Sequence, residues 1–218
     1  MKVDKNTNLD RYEWASMYIG RLLPNLKNKK VADVGCKGDI MKGKVNKEGG
    51  EWVGFDLDPS HENVKKWNIE KESKEGGNFS LVLMLDVVEH LGNPWIGMKN
   101  ISESMSEGGY LIMTTPNPLW SRSRFHALAK GVPSCFDEGD LKDNHHVFTP
   151  WPHIVRKLLK DSELSLKRYE TLDGKSKVPR DPHSLWYFVR VSFATTRIIL
   201  EKYDKSSCGM SYGMIAKK

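Results

Sequence analysis

At 218 residues the chain has the length of one α/β domain with insertions, and its 39% apolar and 28% charged residues suit a core under a soluble surface. The net charge of +6 is mostly lysine without the interleaved arginines and aromatics of a base-stacking groove, so it gives no clear nucleic-acid signal. No run approaches the roughly 20 apolar residues of a membrane span, no apolar leader opens the sequence, and Cys36, Cys135 and Cys208 are too scattered for a disulfide framework or zinc spacing, which points to a reducing, cytoplasmic setting.

The first predicted element is a helix over 9–26. Leu9, Tyr12, Ala15, Ile19, Leu22, Leu23 and Leu26 recur at helical spacing, Asp10 with Glu13 supplies an entry cap, and Pro24 falls near the end. A strand at about 30–34 and another at 52–56 follow, with room for only a stunted helix between them. Phe79–Leu85 is a continuous apolar run, which marks a strand buried on both faces. Asp86-Val-Val-Glu89-His90-Leu lies at its carboxyl end. A helix over 95–106 stops at Glu107-Gly-Gly, and a strand over 110–114 ends at Thr115-Pro-Asn-Pro. A helix over 150–162 starts with Thr149 as cap and Pro150 near its first position, and strands at 164–171 and 211–216 complete the sheet.

Two stretches stand outside this alternation. Residues 117–149 read as loop, and 174–207 contain a largely apolar segment at 185–200. Both follow strand ends, where insertions cover the ligand side of such sheets, so the whole of 1–218 is expected to be one domain with two substrate-side insertions. Read as a helix, 185–200 is apolar nearly all round, broken by Arg190 and Arg197. It fits a buried lid over the cleft; the alternative is an interfacial helix or dimer surface with its arginines toward lipid phosphate, a peripheral membrane contact.

The most informative pairing is a strand ending in Asp33-Val34-Gly35 and a second strand ending in Asp56. An open α/β sheet builds a nucleoside site this way: glycine lets the backbone approach the ligand, and the second acid accepts from ribose hydroxyls. Asp33-Val-Gly35-Cys36, Val53-Gly-Phe-Asp56-Leu-Asp-Pro, Phe79-Ser-Leu-Val-Leu-Met-Leu-Asp86-Val-Val-Glu89-His90-Leu and Ser106-Glu-Gly-Gly-Tyr-Leu-Ile-Met-Thr-Thr-Pro-Asn117 occur in that order. Together, over about 28–170, they resemble the motifs of class I S-adenosylmethionine (SAM) dependent methyltransferases. The resemblance implies a Rossmann-like, seven-stranded, mostly parallel sheet with helices on both faces and an antiparallel last strand beside the sixth.

The same resemblance implies a cofactor site. Gly35, Cys36, Lys37 and Gly38 line the methionine part of SAM, and Asp33 holds that loop. Asp56 takes the ribose diol, Leu57 lies against adenine, Asn68 and Ile69 meet the edge of the base, and Leu85 and Asp86 lie near the methyl group. The loop departs from the family's Gly-x-Gly continuation: Lys37-Gly38-Asp39 stands there instead. Gly38 is expected to take the positive φ of the turn, with Lys37 pointing outward or meeting the SAM carboxylate.

Methyl transfer from a sulfonium needs alignment and desolvation, and a base only where the acceptor loses a proton. Asp86, Glu89 and His90, at i, i+3 and i+4, share a face if their turn is helical. Asp86 or His90 is then a general base, or the three hold a divalent cation, or Glu89 and His90 only cap and pack the turn. His145 and His146 precede the helix at 150–162, where relatives place a histidine at the substrate edge, and are further candidate bases. A zinc site from these with His153, Asp137, Glu138 and Asp140 is disfavoured by irregular spacing, and no metal is assigned. The stretch from Trp120 to Gly131 loosely resembles methyltransferases of polysaccharide or lipid-linked sugar synthesis, which implies a small-molecule or glycan acceptor, methylated at a hydroxyl oxygen. The alternatives are a non-catalytic binding module with a degenerate cofactor loop and an RNA or protein methyltransferase. A nicotinamide oxidoreductase is disfavoured because no Gly-x-Gly-x-x-Gly follows the first strand and no Tyr-x-x-x-Lys pair occurs. The oligomeric state is not legible.

Overall fold

The computed structural model describes residues 2–22, 27–72, 77–174 and 187–218. Its frame is one sheet of eight strands: β1 (Lys5–Asn6), β2 (Lys30–Val34), β3 (Glu51–Asp56), β4 (Val64–Lys66), β5 (Phe79–Leu85), β6 (Met105–Pro116), β7 (Ser165–Leu172) and β8 (Ser211–Lys217). They lie in the order β1-β7-β8-β6-β5-β2-β3-β4. All neighbours are parallel except β8, which runs antiparallel between β6 and β7. The sheet thus has the expected Rossmann-like form, with the two-residue β1 added at one edge. The chain steps outward from β2 through β3 to β4, then returns to build β5 and β6 on the other side of β2. Strand direction reverses its walk at β2, and a crevice opens at the carboxyl ends there.

Alternate residues of the central strands feed two cores. Leu81 and Leu83 of β5 meet Trp14, Ala15 and Ile19 of helix α1 (Arg11–Leu22) and Val45 of the short α2 (Lys42–Lys47). Val82 and Met84 meet Met98 and Ile101 of α3 (Pro94–Ser104) and Val155, Leu158 and Leu159 of α6 (Pro152–Asp161). Each such fully buried aliphatic side chain contributes roughly 1.5–3 kcal/mol relative to exposure. Asp10 and Glu13 form the reciprocal cap of α1: Asp10 Oδ1 accepts from the Tyr12 and Glu13 N–H groups, and Glu13 Oε2 accepts from the Asp10 N–H. The expected continuation of that helix over Leu23, Pro24 and Leu26 lies outside the described residues.

Several expectations are corrected. Residues 117–149 are not loop throughout; they contain α4 (Ser121–Lys130) and α5 (Glu138–Asn144). Hydrophobic periodicity missed both because α4 buries only Ser121 and Ser123 and α5 buries nothing. Helix α5 starts where Asp137 accepts from the Gly139 and Asp140 N–H groups. Helix α6 begins with Pro152 after Trp151, not with Pro150 after Thr149. Strands β1 and β4 were not legible: one has no apolar residue and the other buries only Val64.

The segment at 185–200 forms helix α7 (Tyr187–Tyr203), but it is not a buried lid. Only Ala194 and Glu201 are buried, while Phe188, Val189, Phe193, Ile199 and Tyr203 are exposed. Its polar anchors to α4 hold it: Ser121 Oγ donates to Glu201 Oε1 at 2.7 Å and accepts from Arg197 Nε at 2.9 Å. The Phe125 and Phe193 rings meet at 5.0 Å.

Candidate active site

The first wall of the crevice is built where β2 and β3 end. Asp33 is buried, and its Oδ2 accepts from Trp52 Nε1 at 3.0 Å. Burial pushes its carboxyl up to about 7, with the Trp52 bond pulling the other way. Gly35 has φ +70°, and a Cβ there would stand 2.5 Å from Val87 Cγ2. Glycine therefore lets this turn cross directly over the end of β5. The Gly35 N–H donates to the Phe55 carbonyl, which ties the turn to β3.

The turn corrects one expectation. Its left-handed residue after Gly35 is Lys37, at φ +51°, and Gly38 is not among the positive-φ residues. The Gly38 N–H donates to the Cys36 carbonyl across Lys37. Lys37 occupies the place of a family glycine, in a conformation that glycine adopts without steric cost. The position of Gly38 is open: a Cβ there meets nothing within 4 Å. Cys36 is half-buried, and burial, followed by the nearby Asp33 charge, pushes its thiol up to about 12, so it is no thiolate nucleophile.

Asp56 ends β3 with its carboxylate fixed. Oδ2 accepts from the Lys37 N–H at 3.0 Å and Oδ1 from the Asp58 N–H at 3.1 Å. A carboxylate has about four acceptor positions, so a diol still finds free lone pairs. Leu57, beside it, is 58% exposed. Asn68 turns its Oδ1 onto the Glu70 N–H, which leaves its amide nitrogen for a ligand. Ile69 sits in the core and packs toward Gly97, and its carbonyl accepts from Asn100 Nδ2 at 2.8 Å. The Ile69 side chain therefore has a packing role in the core.

The second wall forms after β5, beyond the half-buried Leu85. Asp86 has φ +53°, and the following short turn, Val88–His90, is a 3-10 helix. The expected single helical face of Asp86, Glu89 and His90 does not form. Asp86 turns to Thr114, whose Oγ1 donates to Oδ1 at 2.7 Å, and to the guanidinium of Arg11 at the start of α1. Glu89 is fully buried, and Thr115 Oγ1 donates to its Oε2 at 2.9 Å. Its Oε1 has no hydrogen-bond partner. Burial, followed by the charge of Asp86, pushes the Glu89 carboxyl up to about 8.

His90 meets His146, with ring centroids 5.0 Å apart. Burial, followed by His146, lowers the His90 pKa, which favours the neutral imidazole. His146 Nδ1 lies 2.6 Å from the Cys135 carbonyl oxygen. The other histidine, His145, is exposed in a left-handed conformation at the end of α5 and does not join this group. The suggested zinc partners are spent otherwise: Asp137 caps α5 and Asp140 accepts from Asn144. Residue patterns did not flag Arg11, Trp52, Thr114 or Thr115. Thr114-Thr115, two hydroxyls closing an apolar strand beside the end of β5, were the signal available for the last two.

A sheet with this strand order, a glycine turn after its central strand and a carboxylate closing the next define the class I SAM-dependent methyltransferase fold. The chain belongs to the methyltransferase domain family, whose pattern matches residues 9–168. It is 24% identical over 123 residues to the ubiquinone biosynthesis O-methyltransferase of Acinetobacter baylyi, covering 49% of this chain and 50% of that protein. The corresponding protein of Azorhizobium caulinodans is 27% identical over 111 residues, 44% of each chain. The chain thus spans about half the length of the curated relatives it matches. A SAM dependent methyltransferase from Archaeoglobus fulgidus superimposes with a TM-score of 0.62 at 19% identity, covering 96% of this chain and 95% of that one. At that identity the likeness is one of fold. Among the described residues no helix is long and apolar enough to cross a membrane.

Proposed function

We propose that the chain transfers a methyl group from SAM to a hydroxyl oxygen of a small molecule. The observation that carries this reading is the Asp56 carboxylate, fixed by two backbone N–H groups at the end of β3 beside the exposed Leu57. The group SAM supplies when bound is an activated methyl on a sulfonium. The residues present fit it: the open side of Gly38, the free lone pairs of Asp56 and an uncovered apolar side chain for the base.

Asp56 grips the ribose hydroxyls, Leu57 lies on the adenine, and the Asn68 amide meets the base edge, with Ile69 packed behind it. The 35–38 turn carries the amino-acid end. Asp86 and Arg11 bring both charge signs to that end, which suits a zwitterion's ammonium and carboxylate. Leu85 and Asp86 border the point where acceptor and methyl meet. His90, kept neutral by burial and close to His146, takes the proton of the acceptor hydroxyl, and His145 stands at the outer rim. Holding the two reactants in line is the larger share of the acceleration.

We read residues 1–218 as one domain, acting in the cytoplasm, with α4, α5 and α7 on the acceptor side. A glycan acceptor is a finer form of the same reading. The exposed Phe188, Val189, Phe193, Ile199 and Tyr203 favour a peripheral contact of α7 with anionic membranes. Co-sedimentation with anionic vesicles tests it, and no binding at low salt removes it. Calorimetry with SAM, its demethylated product and NAD tests the main reading. Binding of the demethylated product without response to NAD supports it; binding of neither sulfur nucleoside leaves only a non-catalytic module.

A further inference from the structure

The buried Glu89 carboxylate presents an unusual problem. Thr115 satisfies one oxygen, while the other is sealed from water with no donor. A buried polar atom without a partner is costly and calls for an explanation. Its surroundings supply one. Glu89, His90 and His146 each offer one ligand atom, and these atoms lie within 4.8 Å of one another.

One of the two imidazoles is already oriented by its other ring nitrogen. A carbonyl oxygen only accepts, so the 2.6 Å contact with Cys135 places the His146 proton on Nδ1. The lone pair of Nε2 is then free. The His90 ring stands edge-on to the His146 ring, with 5.0 Å between centroids. Metal-binding histidines are held by such bonds from the other ring nitrogen to a carbonyl, and metal-binding carboxylates are themselves hydrogen-bonded, as Glu89 is by Thr115.

We propose that Glu89, His90 and His146 form a binding site for a divalent cation of the zinc or cobalt type. Two imidazoles and one carboxylate favour such borderline ions over magnesium or calcium, which take oxygen ligands. Three protein ligands leave coordination positions open, the arrangement of a catalytic rather than a structural ion. Placed beside the end of β5, the ion takes the acceptor's oxygen as a further ligand, orients it and lowers its pKa, in place of proton transfer to either histidine. That role rests on the methyl-transfer reading; the binding site itself does not. His146, 56 residues beyond His90, takes the place that spacing had given to Asp86.

The test is Co2+ binding to chelator-treated protein, followed by its visible ligand-field absorption, with Zn2+ as competitor. The wild type is expected to take up a single tightly bound Co2+ that Zn2+ displaces and millimolar Mg2+ does not. His90→Ala, His146→Ala and Glu89→Gln should each weaken uptake at least ~10-fold, and His153→Ala, at an exposed position on α6, should leave it unchanged. The thermal unfolding midpoint of each variant shows that it is folded; the two histidine variants decide the matter if Glu89→Gln does not fold. Uptake undiminished in both histidine variants, or no uptake by the wild type, overturns the proposal. Binding of the demethylated cofactor, measured on the same samples, separates failure of the metal site from failure of the methyltransferase reading.

Discussion

The two walls of the crevice are neighbours in space and opposites in construction. The β2–β3 wall uses residues within one short stretch, from Asp33 to Asp58, and its key hydrogen bonds join backbone N–H groups to one carboxylate. The wall beyond β5 draws on α1 for Arg11, on β6 for Thr114 and Thr115, and on the 135–148 segment for His146. The first is local geometry and tolerates little change in backbone. The second is a set of side chains from four places, joined to one another by side-chain contacts. The contrast fits a shared cofactor on one side and an acceptor particular to this chain on the other.

The strongest way to probe the first wall is through pH. Asp33 moves from an ordinary 3.8 to about 7 on folding. A carboxyl raised in the folded state contributes stability that is fully present below its unfolded pKa and is lost as pH rises through the folded value. At about 1.4 kcal/mol per pH unit, that is on the order of 4 kcal/mol between pH 4 and 7. Denaturant unfolding of wild type and Asp33→Asn across this range should show a decline in the first that is smaller in the second; parallel curves would mean Asp33 is solvated. Gly35→Ala comes next. Its φ of +70° and the 2.5 Å approach to Val87 predict a loss of about 3 kcal/mol, read from the same unfolding curves.

Asp56→Ala separates the walls directly. Affinity for the demethylated cofactor should fall by about 1–3 kcal/mol in calorimetry, while Co2+ uptake stays as in the wild type. Equal loss of both would show that the two walls are not independent. The smallest effect is at Lys37. Replacing it with glycine relieves a left-handed φ of +51° and should stabilise the folded chain by about 1 kcal/mol. A drop in stability would show that the lysine side chain makes up for its own strain.

Much of the first wall was legible in residue order. Asp33, Gly35 and Asp56 stand where strands end, and strand ends are marked by apolar runs. The turn between them was read one residue out of place, because sequence shows that glycine permits positive φ but not where the chain needs it. Lys37 adopts it since the hydrogen bonds of Cys36 and Phe55 set the path. The triad after β5 was misread for a related reason. Spacing at i, i+3 and i+4 assumes a regular helix, and a left-handed Asp86 followed by a 3-10 turn sends Asp86 and Glu89 to different partners. Helices α4 and α5 were invisible because burial, the source of apolar periodicity, is nearly absent from them.

Sequence alone determined six of the eight described strands and the carboxylate that closes β3, because each rests on patterns a few residues long that bury the same face whatever surrounds them. Only tertiary structure decided that Asp86 belongs to Arg11 and Thr114, that His146 rather than His145 turns inward, and that α7 lies exposed. Those outcomes depend on which distant segments share a space, and contacts between residues tens of positions apart leave no periodic trace in the chain.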